Sequence, residues 1–126
     1  NSDNVLRGGL TPKHVDIEEL LRVLNFEERT AHVLTPRSTA GGERVYECPA
    51  REFVLSTITV VSKTTYSSPR VRGIEILLCT AGAGKVTDQG TGEEVALPKG
   101  RAALVPAAVK GYVLEGEAVV YKAAVP

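Results

Sequence analysis

Short segments rich in β-branched and other apolar residues fill the chain from Phe53 to its end, and turn signals separate them. Such segments are typical of β-strands. In chain order they are FVLSTITVV (53–61), GIEILLCT (73–80), two short segments around a turn at Gly90–Gly92, RAALVPAA, which Pro106 interrupts, and YVLEGEAVVYKAAV, which we interpret as a hairpin turning at Glu115–Gly116. Roughly seven short strands at close spacing predict an all-β sandwich or barrel. The length of 126 residues is that of one domain.

One helix is predicted before these strands. Asp16 and Glu19 have the spacing of a capping box, in which each side chain binds an early backbone amide of the helix. Apolar residues then recur on one helical face, at Ile17, Leu20, Leu21 and Leu24. We expect the helix to end near Leu24 or Asn25. Residues 29–44 carry a Gly-Gly pair and no periodicity, which predicts a long surface loop.

The charge balance excludes some classes of partner. Lys and Arg total 15, Asp and Glu also total 15, and the formal net charge is zero. Nucleic-acid binders and membrane-surface modules need a basic excess, so neither class is favoured. The sequence has no apolar run near the roughly 20 residues of a spanning helix, and its start lacks the features of a signal peptide.

The two cysteines, Cys48 and Cys79, lie in strand-like sequence, and their separation matches no zinc or redox motif. Because Cys is among the most buried residue types, we expect two buried free thiols. Free thiols favour a cytoplasmic location.

Several short motifs that could carry chemistry are better explained by structure. GAGK (82–85) fails as a phosphate loop, because Cys79 and Val86 stand where that loop requires Gly and Ser or Thr. We therefore interpret it as a turn. His14 and His32 are the two histidines, and neither has the spacing of a metal ligand.

Arginines 70 and 72 lie in a loop beside Pro69, and we expect both to be ordinary exposed side chains.

The first 14 residues concentrate polar and charged side chains in a glycine-containing segment: Asp3, Arg7, Lys13 and His14 lie among Gly8, Gly9 and Pro12. Glycine lets a ligand approach the backbone closely. The guanidinium of Arg presents a planar fork to phosphate or to an oxyanion, and Lys adds a point charge. This chemistry suits anion binding, whereas a frayed polar terminus would have a similar composition.

The segment SDNVLRGGLTPKHVDIEELLRVL (2–24) resembles the hallmark segment of the type I mannose-6-phosphate isomerases, which are zinc-dependent cupin enzymes. That segment has the form S-D-N-x-x-R-[AG]-G-L-T-P-K, followed by Asp and an amphipathic helix, and lies near the active site. Downstream, YECPAREFVLS and the strands that end in GEAVVYKAAV are similar to the family's C-terminal cupin domain. The resemblance covers essentially the whole chain and implies a mainly β fold, a cupin-type β-sandwich or jelly roll with one N-terminal helix.

Carried over residue by residue, the resemblance implies a role for three side chains. Arg7 matches the family's catalytic arginine, whose charge stabilises the cis-enediolate formed as a proton moves between C1 and C2. Lys13 is assigned to substrate or phosphate contact, and Asp3 to orienting Arg7.

The departures from the family are as informative as the matches. The zinc of these enzymes is held by Gln, two His and Glu from the N-terminal catalytic cupin, and none of these ligands is found here. LPKGRAALVPAA (97–108) keeps the P-x-G turn of the second cupin motif, but Ala and Leu follow where metal-binding cupins place His.

The resemblance therefore implies a C-terminal portion of the isomerase, with residues 1–28 as the tail of the active-site segment plus a linking helix and residues 29–126 as a C-terminal cupin domain that lacks metal ligands. The parent enzyme would interconvert mannose 6-phosphate and fructose 6-phosphate with Zn²⁺ as Lewis acid. We expect this portion to pack on the N-terminal catalytic domain, and alone to be inactive, to bind no zinc and to leave Arg7 exposed. The alternative is a free-standing, non-catalytic cupin module that binds a sugar or a protein partner.

Overall fold

A computed structural model describes residues 5–125, and the chain divides into two compact units, residues 1–32 and residues 33–126. Among residues 5–125, the helix lies in the first unit and the strands lie in the second. Within residues 5–125, no helix has the length and hydrophobicity needed to cross a bilayer.

The helix α1 (Ile17–Val23) begins and ends where the sequence predicts. The carboxylate of Asp16 accepts a hydrogen bond from the backbone N–H of Glu19 at 3.0 Å, which satisfies one of the free amides of the first turn. The reciprocal half of the capping box is absent from this helix start, because the amide of Asp16 donates to the carbonyl of Arg7 and the carboxylate of Glu19 binds Arg22 at 2.6 Å. The apolar side chains of Ile17 and Leu21 are both more than half exposed.

Within the described part of the chain, eight strands form one antiparallel sheet that includes two long strands, β5 and β8. The prediction of a long loop over residues 29–44 is wrong at its end, where β1 and the start of β2 lie. The strands are β1 (Arg37–Ser38), β2 (Glu43–Tyr46), β3 (Val54–Val60), β4 (Tyr66–Ser67), β5 (Glu75–Asp88), β6 (Glu94–Pro98), β7 (Ala102–Val105) and β8 (Tyr112–Ala124), with a 3₁₀ turn at Ala40–Gly42.

The ladder between β5 and β8 runs from Glu75 opposite Ala124 to Asp88 opposite Tyr112, and the other strands are arranged around it. At the end of the ladder that contains Glu75 and Ala124, β3 pairs with β8 and β7 pairs with β5, and β2 and then β1 continue the sheet beyond β3. At the other end, β4 pairs with β8 and β6 pairs with β5. The mainly β fold with one helix thus agrees with the prediction.

Two turns predicted from sequence are instead bends within these long strands. GAGK (82–85) lies inside β5, next to a register shift between Cys79 and Ala81, and Glu115–Gly116 lies inside β8. Gly82 and Gly116 have φ angles of 71° and 114°, which strongly favour glycine. These glycines therefore bend each strand without reversing it.

Apolar side chains from both halves of the ladder form one core: Ile58, Val60, Tyr66, Leu77, Cys79, Val86, Leu97, Val105, Tyr112, Leu114, Ala118 and Val120. The fold is thus a sandwich in which β5 and β8 contribute to both layers. Cys79 is buried as predicted, but the prediction for Cys48 is wrong, because Cys48 follows β2 in a loop and is exposed.

Replacing Gly82 with Ala should destabilise the protein much more than replacing Gly92. Both glycines have similar positive φ angles, 71° and 76°. A Cβ at position 82 would lie 1.9 Å from the carbonyl oxygen of Glu117, whereas at position 92 it would meet nothing within 4 Å. We expect Gly92→Ala to lower the free energy of unfolding by about 1–2 kcal/mol and Gly82→Ala by at least about 4 kcal/mol, as measured by urea denaturation. Equal losses would contradict the close approach of β5 to β8.

Candidate functional site

The segment that the sequence singled out for anion binding packs locally on the start of α1. The carbonyl of Arg7 accepts a hydrogen bond from the amide of Asp16 at 3.2 Å. Gly8 lies so close to the helix that a Cβ there would be 2.9 Å from Leu20 Cδ2. The glycine at position 8 thus lets the segment lie against the helix.

The side chain of Arg7 is half-buried, whereas the sequence led us to expect it to be exposed. Its Nη1 donates to the carbonyl of Val5 at 3.2 Å. Lys13 and His14 are exposed, and the amide of Lys13 donates to Thr11 Oγ1. Asp3, the residue proposed to orient Arg7, lies outside the described residues.

The described residues do not fit a zinc site. Within residues 5–125, no group of three His, Cys, Asp or Glu side chains is placed to hold a metal ion. The P-x-G turn at Pro98–Gly100 is formed, and the amide of Gly100 donates to the carbonyl of Cys79 at 2.8 Å. Ala102 and Ala103 follow this turn on β7.

Polar side chains converge inside the strand unit around the ammonium group of Lys122. Its Nζ lies 2.7 Å from Glu43 Oε1, 3.2 Å from the Tyr66 hydroxyl and 3.6 Å from Glu75 Oε1. The other carboxylate oxygen of Glu43 accepts from the Tyr66 hydroxyl at 2.9 Å, and Ser56 Oγ donates to Oε1 at 2.5 Å. Five strands, β2, β3, β4, β5 and β8, therefore meet at this cluster.

A second cation completes the charge balance of the cluster. Arg72 Nη1 lies 3.8 Å from Glu75 Oε2, and both side chains are almost fully buried. The guanidinium also donates to the carbonyls of Pro106 and Val109 and lies 5.4 Å from the ring centre of Tyr112. The prediction that Arg72 is an ordinary exposed arginine is therefore wrong, whereas Arg70 is exposed.

The environment of the cluster shifts the pKa values of Glu43, Lys122 and the two tyrosines. Burial opposes the charged form of Glu43, but hydrogen bonds from Lys122, Ser56 and Tyr66 outweigh it and lower the pKa of this carboxyl. Burial likewise opposes the charge of Lys122, but Glu43 and Tyr66 outweigh it and raise its pKa. Burial raises the pKa of Tyr66 to about 12 and also raises the pKa of Tyr112.

A lysine with a raised pKa is protonated at neutral pH and is therefore no nucleophile. The cluster is two carboxylates balanced by two cations, which fits a structural role inside the sandwich. The sequence contains a signal for this cluster: Glu75 and Lys122 are single charges within the apolar strand segments GIEILLCT and AVVYKAAV. Buried charges of this kind are nearly always paired.

Lys122→Met should destabilise the protein and reverse part of the pH dependence of its free energy of unfolding. The lowered pKa of Glu43 means that its stabilising contribution is present above its ordinary pKa of 4.5 and is lost as the pH falls through the folded-state value. Without Lys122, burial of Glu43 is compensated less, so the pKa of Glu43 rises and the variant gains stability as the pH falls from 7 toward 4.5. We expect a loss of about 3–5 kcal/mol at pH 7, measured by urea denaturation across this pH range.

The control for this experiment is Lys85→Met, which removes an exposed pair with Glu94. We expect this variant to lose at most about 1 kcal/mol and to keep the pH dependence of the original protein. A Lys122→Met variant that behaves like this control would contradict a buried, paired Lys122.

No protein-family model matches the chain. Individual proteins do match: the chain is 35% identical over 118 residues to the mannose-6-phosphate isomerase of Escherichia coli (strain K12), a match that covers 89% of this chain and 29% of that protein. A mannose-6-phosphate isomerase of Salmonella typhimurium is 39% identical over 83 residues, which is 65% of this chain and 21% of that protein.

The structural comparison finds the same kind of protein and covers more of this chain than the sequence comparison does. The structure matches the crystal structure of a single-residue variant of phosphomannose isomerase from Salmonella typhimurium with a TM-score of 0.79 and 28% identity. The match covers 98% of this chain and 32% of that one. The chain therefore spans about three tenths of the length of the relatives it matches. By sequence and by fold, the chain is similar to one part of the mannose-6-phosphate isomerases.

Proposed function

We propose that this chain is the C-terminal portion of a mannose-6-phosphate isomerase, and that the whole protein interconverts mannose 6-phosphate and fructose 6-phosphate. The observation that carries this proposal is the 35% identity over 118 residues to an enzyme of that name. The similarity of fold over 98% of the chain supports it.

In this proposal Arg7 supplies positive charge to the reaction. Aldose–ketose isomerisation moves a proton between C1 and C2 through an enediolate, whose oxygen becomes negatively charged. A guanidinium held beside that oxygen stabilises the charge more in the transition state than in the sugar. The hydrogen bond from Asp16 to the carbonyl of Arg7 fixes the backbone from which this side chain extends.

Two neighbouring residues complete the proposed contribution of the segment. Lys13, which is exposed, contacts the substrate or its phosphate, and Asp3 orients Arg7. A metal ion supplies Lewis-acid chemistry in the parent enzyme, and we propose zinc bound by the N-terminal catalytic domain. In this proposal the contribution of the chain itself is charge stabilisation and substrate contact.

The apolar side chains of the first unit support a larger parent protein. Leu10 and Phe26 are largely exposed, and Ile17, Leu21 and Val23 expose more than half of their surface. An exposed apolar helix face is typical of a surface that another domain covers. We propose that the N-terminal catalytic domain packs on it.

Arg7→Lys should reduce the turnover of the whole protein, expressed from its complete reading frame. Lys keeps the charge but loses the planar fork of the guanidinium. The substitution therefore weakens the stabilisation of the enediolate more than it weakens binding of the sugar. We expect kcat to fall by about 10²–10³-fold with little change in KM, measured by coupled detection of fructose 6-phosphate.

Arg22→Lys is the matched control, because Arg22 is an exposed arginine on α1 that pairs with Glu19. We expect its kinetics to equal those of the original protein. An Arg7→Lys variant with unchanged kcat would remove Arg7 from the reaction. A complete protein that lacks isomerase activity, or a start codon directly before Asn1, would favour the alternative of a non-catalytic cupin module.

A further inference from the structure

A second basic site lies in the strand unit, where three loops meet. A half-open groove of about 330 Å³ is lined by Arg70, Gln89, Gly90, Lys110 and Gly111. These residues come from the loop after β4, the turn between β5 and β6 and the loop before β8. The groove therefore combines two cationic side chains, one amide side chain and glycine backbone.

Hydrogen bonds hold the three loops together. The amide of Ser68 donates to the carbonyl of Tyr112 at 3.0 Å, and the amide of Tyr112 donates to Ser68 Oγ at 2.9 Å. The amide of Gln89 donates to the carbonyl of Gly111 at 2.9 Å. Arg70 lies two residues after Ser68, and Lys110 directly precedes Gly111, so the backbone that carries both cations is fixed before any ligand arrives. Such preorganisation lowers the entropic cost of binding.

Glycine at position 111 shapes the floor of the groove. A Cβ at this position would lie 2.8 Å from Gln89 Oε1. Only glycine lets the side chain of Gln89 lie against the backbone here without displacement. The amide group of Gln89 therefore lines the groove next to the backbone of Gly111.

The charges of the groove are uncompensated. Arg70 and Lys110 are exposed, and neither forms an ion pair with any of residues 5–125. The nearest carboxylate in sequence to the lining residues Gln89 and Gly90 is Asp88. It accepts from the amide of Gly90 at 2.7 Å and from Thr91 Oγ1 at 3.0 Å, so it stabilises the turn. Some other basic residues on the surface pair with Glu side chains, namely Arg22, Arg29, Arg37 and Lys85, whereas Arg51 and Lys99 form no ion pair with residues 5–125.

From this geometry we propose that the groove binds a phosphate dianion, either inorganic phosphate or a phosphate monoester. The guanidinium of Arg70 presents two parallel N–H donors to phosphate oxygens, the ammonium of Lys110 adds a second charge, and the amide of Gln89 adds a neutral donor. This site lies outside the Arg7 segment and is independent of the isomerase proposal.

The test is an NMR titration of the isotope-labelled 126-residue chain with inorganic phosphate at constant ionic strength, followed through backbone amide shifts. We expect saturable changes centred on Gln89, Gly90, Lys110 and Gly111. The double variant R70A/K110A should lose at least about tenfold in affinity, because it removes both cations and their hydrogen bonds to a charged ligand. The double variant R51A/K99A removes the same charge from exposed positions outside the groove and should bind like the original chain.

Further titrations with mannose 6-phosphate and with mannose identify the source of the phosphate. If the sugar phosphate binds more tightly than inorganic phosphate and mannose gives no response, the ligand of the groove is a phosphate monoester. If the two bind equally, the ligand is inorganic phosphate. Shifts spread over basic residues across the surface, or equal losses in the two double variants, would overturn the proposal. Because both pairs of substitutions are on the surface, the dispersion of each spectrum reports directly whether the variant is folded.

Discussion

The ion pair between Lys122 and Glu43 constrains the interior of the strand unit. It joins β8 to β2 at 2.7 Å, and contacts to Tyr66 and Glu75 extend the cluster to β4 and β5. Replacing a buried pair by apolar residues is often neutral for stability, but leaving one partner alone is costly. A sheet register that separated the two groups would therefore be heavily penalised. In this way the cluster favours one alignment of the strands over others.

This cluster also affects where ligands can bind. Its own cations already neutralise the carboxylates, and tyrosine rings pack beside it: Arg72 lies over Tyr112, and Lys122 lies 5.7 Å from the ring centre of Tyr66. A cation bound from outside would have to displace Lys122. The groups suited to anions are not part of this cluster; they belong to the glycine-containing segment around Arg7 and to the groove lined by Arg70 and Lys110.

Local sequence signals predicted the elements that local interactions determine. The helix follows from Asp16 and the apolar spacing after it, and the turn near Gly90–Gly92 follows from its glycines, with Asp88 accepting from the amide of Gly90. The bends at Gly82 and Gly116 were mistaken for turns, since a glycine with positive φ has the same local signature in both. Only the distant strand decides between them: Gly84 lies opposite Gly116 in the ladder, and Gly82 opposite Ala118.

The charged cluster was missed for a related reason. A lone Lys in an apolar strand indicates a buried partner but does not identify it, and Glu43 lies far away in the chain, within a segment that looked like a loop. The assignment of Arg7, Lys13 and Asp3 came from the resemblance to a family, and the chemistry of these side chains is compatible with it. The mainly β fold predicted from the sequence agrees with the structure. The prediction rests on many short strands together, so the wrong interpretation of two turns did not alter it.

The central claim, that a protonated lysine is enclosed within the sandwich, is tested most directly by NMR of the lysine side-chain ammonium groups. A buried, hydrogen-bonded ammonium exchanges its protons slowly with water, whereas exposed ones exchange too fast to be seen at neutral pH. The structure predicts a persistent ammonium signal for Lys122 that titrates above its ordinary pKa of 10.5. A Lys122 that exchanges as fast as exposed Lys99, or that titrates below that value, would contradict the account.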